Sequence, residues 1–110
     1  MSKTVEEIKP NFAPFYAAGM YPELAKIFQQ HGYALAVHGS MAKDFDLVAV
    51  PWGKRPHSHR TVIRAIVKRF AIDVPITHKK KRHGRVAYTL HVSFGECRLD
   101  LSFFPGYKWG

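Results

Sequence analysis

The chain lacks the features that define several large classes of protein. Its 110 residues contain one cysteine, Cys97, which excludes an internal disulfide, so we expect a reducing, cytoplasmic setting. No run of about eighteen apolar residues is present, so no membrane span is expected. The first residues lack the apolar core of a signal peptide. The sequence also contains no P-loop, no dinucleotide-binding fingerprint and no G-x-S-x-G nucleophile motif. It therefore lacks the sequence patterns of three common enzyme classes.

Acidic residues are few, and their scarcity is uneven along the chain. The sequence has 17 Lys and Arg against 8 Asp and Glu, for a formal net charge of +9. Eleven of the 17 lie between Lys54 and Arg85, where Asp73 is the only acid. This segment predicts a positive field that attracts a polyanion, such as nucleic acid or a nucleoside triphosphate. The alternative is a solvated basic face without a partner.

Apolar periodicity and chain breakers predict one α+β domain over residues 1–110, a small mixed sheet with helices packed on one face. Residues 1–20 are expected to form an N-terminal helical extension. One helix should hold Pro22 in its first turn and end at Gly32, and another should run from an N-cap at Ser58 to about Phe70. Strands are expected at residues 33–38, 46–50, 72–77, 85–92 and 97–104.

The last two predicted strands are joined by a candidate two-residue turn, Gly95-Glu96. That turn would pair Phe94 with Cys97, and it would pair His91 with Asp100. A carboxylate with a histidine neighbour is therefore expected on one face of the sheet.

Three of the eight acids lie in or beside apolar strands: Asp44, Asp46 and Asp100. Asp44 and Asp46 are two residues apart, so strand geometry directs both to the same face and Phe45 to the other. Like charges held this close repel each other unless a cation lies between them. Oxygen ligands on a rigid sheet suit Mg²⁺ or Mn²⁺ better than zinc. The three acids therefore predict a divalent metal site able to support phosphoryl or nucleotidyl transfer.

A tight turn precedes this acidic strand. Backbone N–H groups at Gly39-Ser40, together with the Ser40 hydroxyl, can hold the non-reacting phosphates of a nucleotide. Lys43 is placed to add a positive charge. The turn therefore predicts a nucleotide-binding site next to the metal.

The combined pattern resembles the nucleotidyltransferase superfamily with the DNA polymerase β-like catalytic fold, and its small, stand-alone bacterial and phage members in particular. The resemblance rests on the turn Val37-His38-Gly39-Ser40, the strand Asp44-Phe45-Asp46-Leu47 and the later Arg98-Leu99-Asp100-Leu101. It implies transfer of NMP from an NTP to an acceptor, with Gly39 and Ser40 on phosphates. It further implies that the three acids bind two metal ions and that Asp100 helps deprotonate the acceptor hydroxyl. Only three residues separate Ser40 from Asp44, fewer than is usual in the family, which removes part of an anion-binding helix N-terminus.

Two other interpretations stay open at this point. The protein can be a catalytically inactive member of the same fold that binds nucleic acid or a protein partner through its basic face. The residues predicted for nucleic-acid binding are Arg60, Arg64, Lys68, Lys79, Lys80, Lys81 and Arg82. His57-x-His59 is a weaker metal candidate because no third ligand lies at a suitable spacing, so two solvent-facing histidines are expected there.

Overall fold

A computed structural model describes residues 17–41, 44–70, 72–92 and 98–105 of the chain. Within these ranges the elements are α1 (Tyr21–Gln30), β1 (Tyr33–His38), β2 (Phe45–Pro51), α2 (His59–Arg69), β3 (Ile72–Lys80), a 3-10 turn (Arg82–Gly84), β4 (Val86–Val92) and β5 (Arg98–Phe103). Residues 17–19 are helical as well. The predicted α+β class is confirmed. The expected extension over residues 1–20 lies mostly outside the described residues.

The five strands form one mixed sheet in the order β1-β2-β5-β4-β3. Strands β2 and β5 are parallel, and the other three neighbouring pairs are antiparallel. The parallel pair lies near the middle of the sheet, between β1 and β4. The sheet therefore brings the Asp-x-Asp strand beside the strand that carries Asp100.

Both helices pack on the same face of the sheet. The Phe28 ring of α1 lies 5.8 Å from the Phe103 ring, and the His59 ring of α2 stacks on the same ring at 4.0 Å. The strand residues of this face are almost fully buried, as in Phe45 and Leu101. The apolar face of the sheet and the inner sides of the helices form the core, while the opposite face carries the acids.

Local signals explain where the two helices begin and end. Ser58 caps α2, since its hydroxyl accepts a hydrogen bond from the backbone N–H of Thr61 at 3.2 Å. Helix α1 ends at His31, and Gly32 follows with φ of +90°. A Cβ at Gly32 would lie 2.9 Å from the Cα of Pro56, so glycine also permits this close chain crossing. Both predicted helices are confirmed to within a residue or two.

Two strand predictions need correction. Strand β3 continues to Lys80 rather than ending near Thr77, so part of the basic run is strand, and the rest turns through residues 82–84. In the β4–β5 ladder His91 pairs with Arg98, and Asp100 pairs with Thr89. The predicted His91–Asp100 pair is therefore wrong, because the register of this ladder is shifted by two residues from the predicted one. Phe94 and Cys97 lie outside the described residues.

The described part of the chain contains no helix that is both long enough and apolar enough to cross a membrane.

Candidate metal and phosphate site

The three acids predicted from the sequence converge on the face of the sheet opposite α1 and α2. One oxygen atom from each of Asp44, Asp46 and Asp100 lies within 4.8 Å of the other two. Asp46 and Asp100 are direct partners across the parallel β2–β5 ladder, and Asp44 precedes β2 by one residue. Phe45 is fully buried on the opposite face, as the alternation predicted. These three carboxylates can hold a divalent cation.

The charge state of Asp100 reflects this crowding. Burial raises the pKa of the Asp100 carboxyl above its ordinary range, and the neighbouring Asp44 and Asp46 raise it further. The Thr89 hydroxyl donates a hydrogen bond to Asp100 Oδ1 at 3.3 Å, which opposes that effect in part. An acid held beside two others in this way favours a bound cation, because the cation removes the repulsion.

Arg98 supplies some positive charge at the edge of the cluster. Its Nε lies 3.4 Å from Asp44 Oδ1, and both side chains are partly exposed. One exposed guanidinium against three carboxylates leaves net negative charge in the cluster. The site therefore retains the capacity to bind a metal.

The turn after β1 approaches the acids closely. Gly39 has φ of +78°, a conformation that glycine adopts without strain, and a Cβ at this position would overlap the Asp46 carboxylate. Met41, which follows Ser40, also has a positive φ, of 56°, so its backbone is strained because it is not a glycine. The Gly39-Ser40 turn thus lies directly against the Asp46 carboxylate, and its role in binding phosphate stays a prediction. Lys43 lies outside the described residues.

A cavity of about 560 Å³ opens on this face of the sheet. Asp46 and Asp100 line one part of it, and the cations Lys79, Lys81 and Arg85 line another. The remaining lining consists of two histidines and four small, neutral residues: His38, His78, Thr77, Ala87, Thr89 and Ser102. Sequence reasoning assigned no role to Arg85, Thr89 or Ser102, although the alternation of β4 and β5 places Thr89 and Ser102 on the face that carries Asp100.

The predicted nucleic-acid-binding residues do not form one surface around this cavity. Lys79 and Lys81 line it. Lys80 follows Lys79 in β3 and therefore lies on the opposite face of the sheet, and Arg82 is exposed in the 3-10 turn. Arg60, Arg64 and Lys68 are exposed on α2, which covers the opposite face of the sheet.

The histidine prediction is half correct. His57 is exposed, but His59 is partly buried against the Phe103 ring, and burial lowers the pKa of its imidazole. His57 instead meets His31, with their Nδ1 atoms 2.6 Å apart. Since 26 residues separate the two in the chain, no local pattern could have indicated this contact.

Comparisons with protein-family models, with curated proteins and with solved structures find no significant match to this chain.

Proposed function

We propose that the protein is a metal-dependent nucleotidyltransferase that moves NMP from an NTP to an acceptor hydroxyl. One observation carries the proposal: three carboxylates from two separate parts of the chain meet within 4.8 Å on an open face of the sheet. A structural role alone does not account for this grouping, because three like charges in one place oppose folding. The single cysteine is consistent with work in a reducing cytoplasm.

The donor set fits Mg²⁺ or Mn²⁺. Both ions prefer carboxylate oxygens and retain water and phosphate ligands, and the site offers oxygen donors beside an open cavity. Asp44, Asp46 and Asp100 would hold the metal. When bound, the metal would stabilise charge on the attacking and leaving oxygens of an in-line displacement.

The chain's own groups would act around the metal as follows. The Gly39-Ser40 turn would hold the phosphates of the NTP beside the metal, because it lies against the Asp46 carboxylate. The acceptor oxygen would bond to the α-phosphorus, the bond from that phosphorus to the bridging oxygen would break, and pyrophosphate would leave. Asp100, which is hydrogen-bonded to Thr89, would take the proton from the acceptor hydroxyl.

Metal titration and label transfer test this proposal. We expect calorimetry to detect Mn²⁺ binding to the wild type and a large loss of that binding in Asp46→Asn. Incubation with α-labelled NTPs and Mn²⁺ should give a labelled product with the wild type alone. Glu23→Gln is the matched control, since it removes the same charge at an exposed ion pair on α1, 2.8 Å from Arg69. The proposal fails if Mn²⁺ gives no heat with the wild type, or if Asp46→Asn binds and transfers as the wild type does.

The second candidate is a catalytically inactive protein of the same fold that binds nucleic acid. It is favoured by the charge of the β3–β4 hairpin, where residues 76–92 contain five Lys and Arg and no Asp or Glu. Salt dependence distinguishes the two candidates. Nucleic-acid affinity that falls steeply with salt, without label transfer under any condition, would support the second candidate over the first.

A further inference from the structure

The cavity beside the carboxylates has a second, oppositely charged wall. Lys79, Lys81 and Arg85 come from the β3–β4 hairpin, and they line the same cavity as Asp46 and Asp100. We call these three residues the cationic wall. Opposite charges on two walls of one cavity indicate a ligand that has both a metal-directed end and an anionic body.

The distance between the two walls follows from the strand register. Asp100 pairs with Thr89, and Thr89 pairs with Thr77, so Thr77 lies two strands from Asp100. At about 4.8 Å per strand, this separation is roughly 10 Å. Lys79 lies two residues further along β3, on the same face. The lysines of the cationic wall therefore lie on or just after a strand roughly 10 Å from Asp100, whereas Arg85 reaches Ser102, two residues from Asp100 on β5. Among the described residues, no ion pair joins the cationic wall to the carboxylates.

The lysines of the cationic wall have no side-chain partner among the described residues. Among the described residues, Lys79 and Lys81 make no ion pair or side-chain hydrogen bond, and both are exposed. Arg85 is more restrained: it donates to Ser102 Oγ at 3.4 Å and lies 5.6 Å from the centre of the Phe104 ring. The wall thus consists of one positioned guanidinium and two ammonium groups that are free to meet an anion.

The floor between the walls is suited to an extended ligand. Ser102 and Ala87 are direct partners across β5 and β4, and Thr89 follows on the same face. These side chains are small and uncharged, so they leave room above the sheet. No helix packs on this face in the described part of the chain, which leaves space above the sheet for an extended polymer strand.

The charge balance favours a polyanion once metal is present. The three carboxylates and the three cations of the wall cancel formally, and Arg98 beside Asp44 adds one positive charge. Each divalent ion at the carboxylates then adds two positive charges, which leaves the cavity strongly positive. Polyanion binding and metal binding should therefore reinforce each other.

We infer that the cavity binds single-stranded nucleic acid, with backbone phosphates on Lys79, Lys81 and Arg85 and the terminal hydroxyl directed at the carboxylates. The role of this strand as acceptor rests on the proposed function, whereas its binding does not. A lone NTP accounts less well for Lys79, because its reacting phosphate must lie at the carboxylates and Lys79 lies on a strand roughly 10 Å from Asp100. The hairpin also carries five cations, more than one nucleotide can use.

Fluorescence anisotropy with labelled oligo(U) and oligo(dT) of about 12 nucleotides tests the inference. The variant Lys79→Ala/Lys81→Ala should bind at least about tenfold more weakly than the wild type at low salt. The slope of log affinity against log salt should fall by about 1.4, since each phosphate contact to a single strand contributes about 0.7. The matched control is Arg64→Ala/Lys68→Ala, which removes the same charge from the opposite side of the sheet. All four side chains are exposed, so the variants should fold, and thermal melting checks this.

Measurements on Asp46→Asn, on the cavity variant and on the α2 control test the inference further. Asp46→Asn should lose Mn²⁺ binding and label transfer, whereas its oligonucleotide affinity in the absence of metal should rise, because the cavity loses a negative charge. If no label transfer is found with any protein, the proposed function fails, yet a loss confined to the Lys79/Lys81 variant still supports strand binding. The inference is overturned if the α2 control loses as much affinity as the cavity variant. It is also overturned if the cavity variant binds the oligonucleotides normally and loses only NTP binding.

Discussion

Replacing Asp100 by asparagine should stabilise the metal-free protein. Like charges no more than 4.8 Å apart repel by about 0.9 kcal/mol or more at the dielectric constant of water, and Asp100 faces two of them. Arg98 beside Asp44 offsets part of the total, so we expect a gain of about 1–2 kcal/mol. The asparagine amide can also donate to a neighbouring carboxylate. In a domain of this size, each kcal/mol corresponds to a rise in Tm of about 4–8 °C.

Bound metal should make the wild type more stable than Asp100→Asn. The wild type gains about 2.7 kcal/mol at a metal concentration one hundred times its Kd, whereas Asp100→Asn loses a charged ligand and should gain much less. Thermal melting in EDTA and in Mn²⁺, with Glu23→Gln as the control, measures both effects. If Asp100→Asn melts at or below the wild-type temperature in EDTA, the like-charge reasoning is refuted. If Mn²⁺ stabilises both proteins equally, Asp100 is not a metal ligand.

The difference in stability between Asp100→Asn and the wild type in EDTA should depend on pH. Because the pKa of Asp100 is raised in the folded protein, the folded state binds its proton more readily than the unfolded state does. The contribution of Asp100 to the stability of the folded protein is therefore favourable at low pH. It is lost as the pH rises from about 3.9, the ordinary pKa of aspartate, through the raised pKa of Asp100 in the folded protein. The advantage of Asp100→Asn in EDTA should accordingly be present at neutral pH and shrink toward zero below about pH 4.

Three further results are expected. Gly39→Ala should destabilise the protein by at least about 1–2 kcal/mol through its left-handed backbone, and it should weaken Mn²⁺ binding because the new Cβ displaces Asp46 while every carboxylate is retained. Ser58→Ala should lower the free energy of unfolding by about 1 kcal/mol in urea denaturation, without affecting Mn²⁺ binding. Since burial lowers the pKa of His59, wild-type stability should fall as the pH drops below about 6.5, and His59→Gln should reduce that fall in melts between pH 7 and 5, although it sacrifices the stack on Phe103.

Features that depend on neighbours in the chain could be predicted well. The hydroxyl of Ser58 followed by an apolar stripe indicated α2, and the helix begins there. The Asp44-Phe45-Asp46 alternation correctly directed the aromatic ring to the core and the acids to the other face. In both cases the physical cause lies within a few residues.

The β4–β5 register shows how a partly wrong prediction can keep the correct face. The true pairing, Asp100 with Thr89, is shifted by two residues from the predicted pairing with His91. Because side chains alternate with a period of two, a shift of two leaves every residue on its predicted face. Asp100 therefore lies on the predicted face of the sheet, beside Asp46, although its partner on β4 is a hydroxyl instead of an imidazole.

The sequence by itself determined the composition of the candidate site: which strands carry acids, which segment is basic and which turn contains glycine. Only the tertiary structure decided that β2 and β5 are parallel neighbours, that Lys79 and Lys81 face the carboxylates across one cavity, and that the α2 cations lie on the other side. The physical reason is that strand order and pairing depend on contacts between residues far apart in the chain. Such contacts follow from how the whole apolar surface is buried, which no local pattern records.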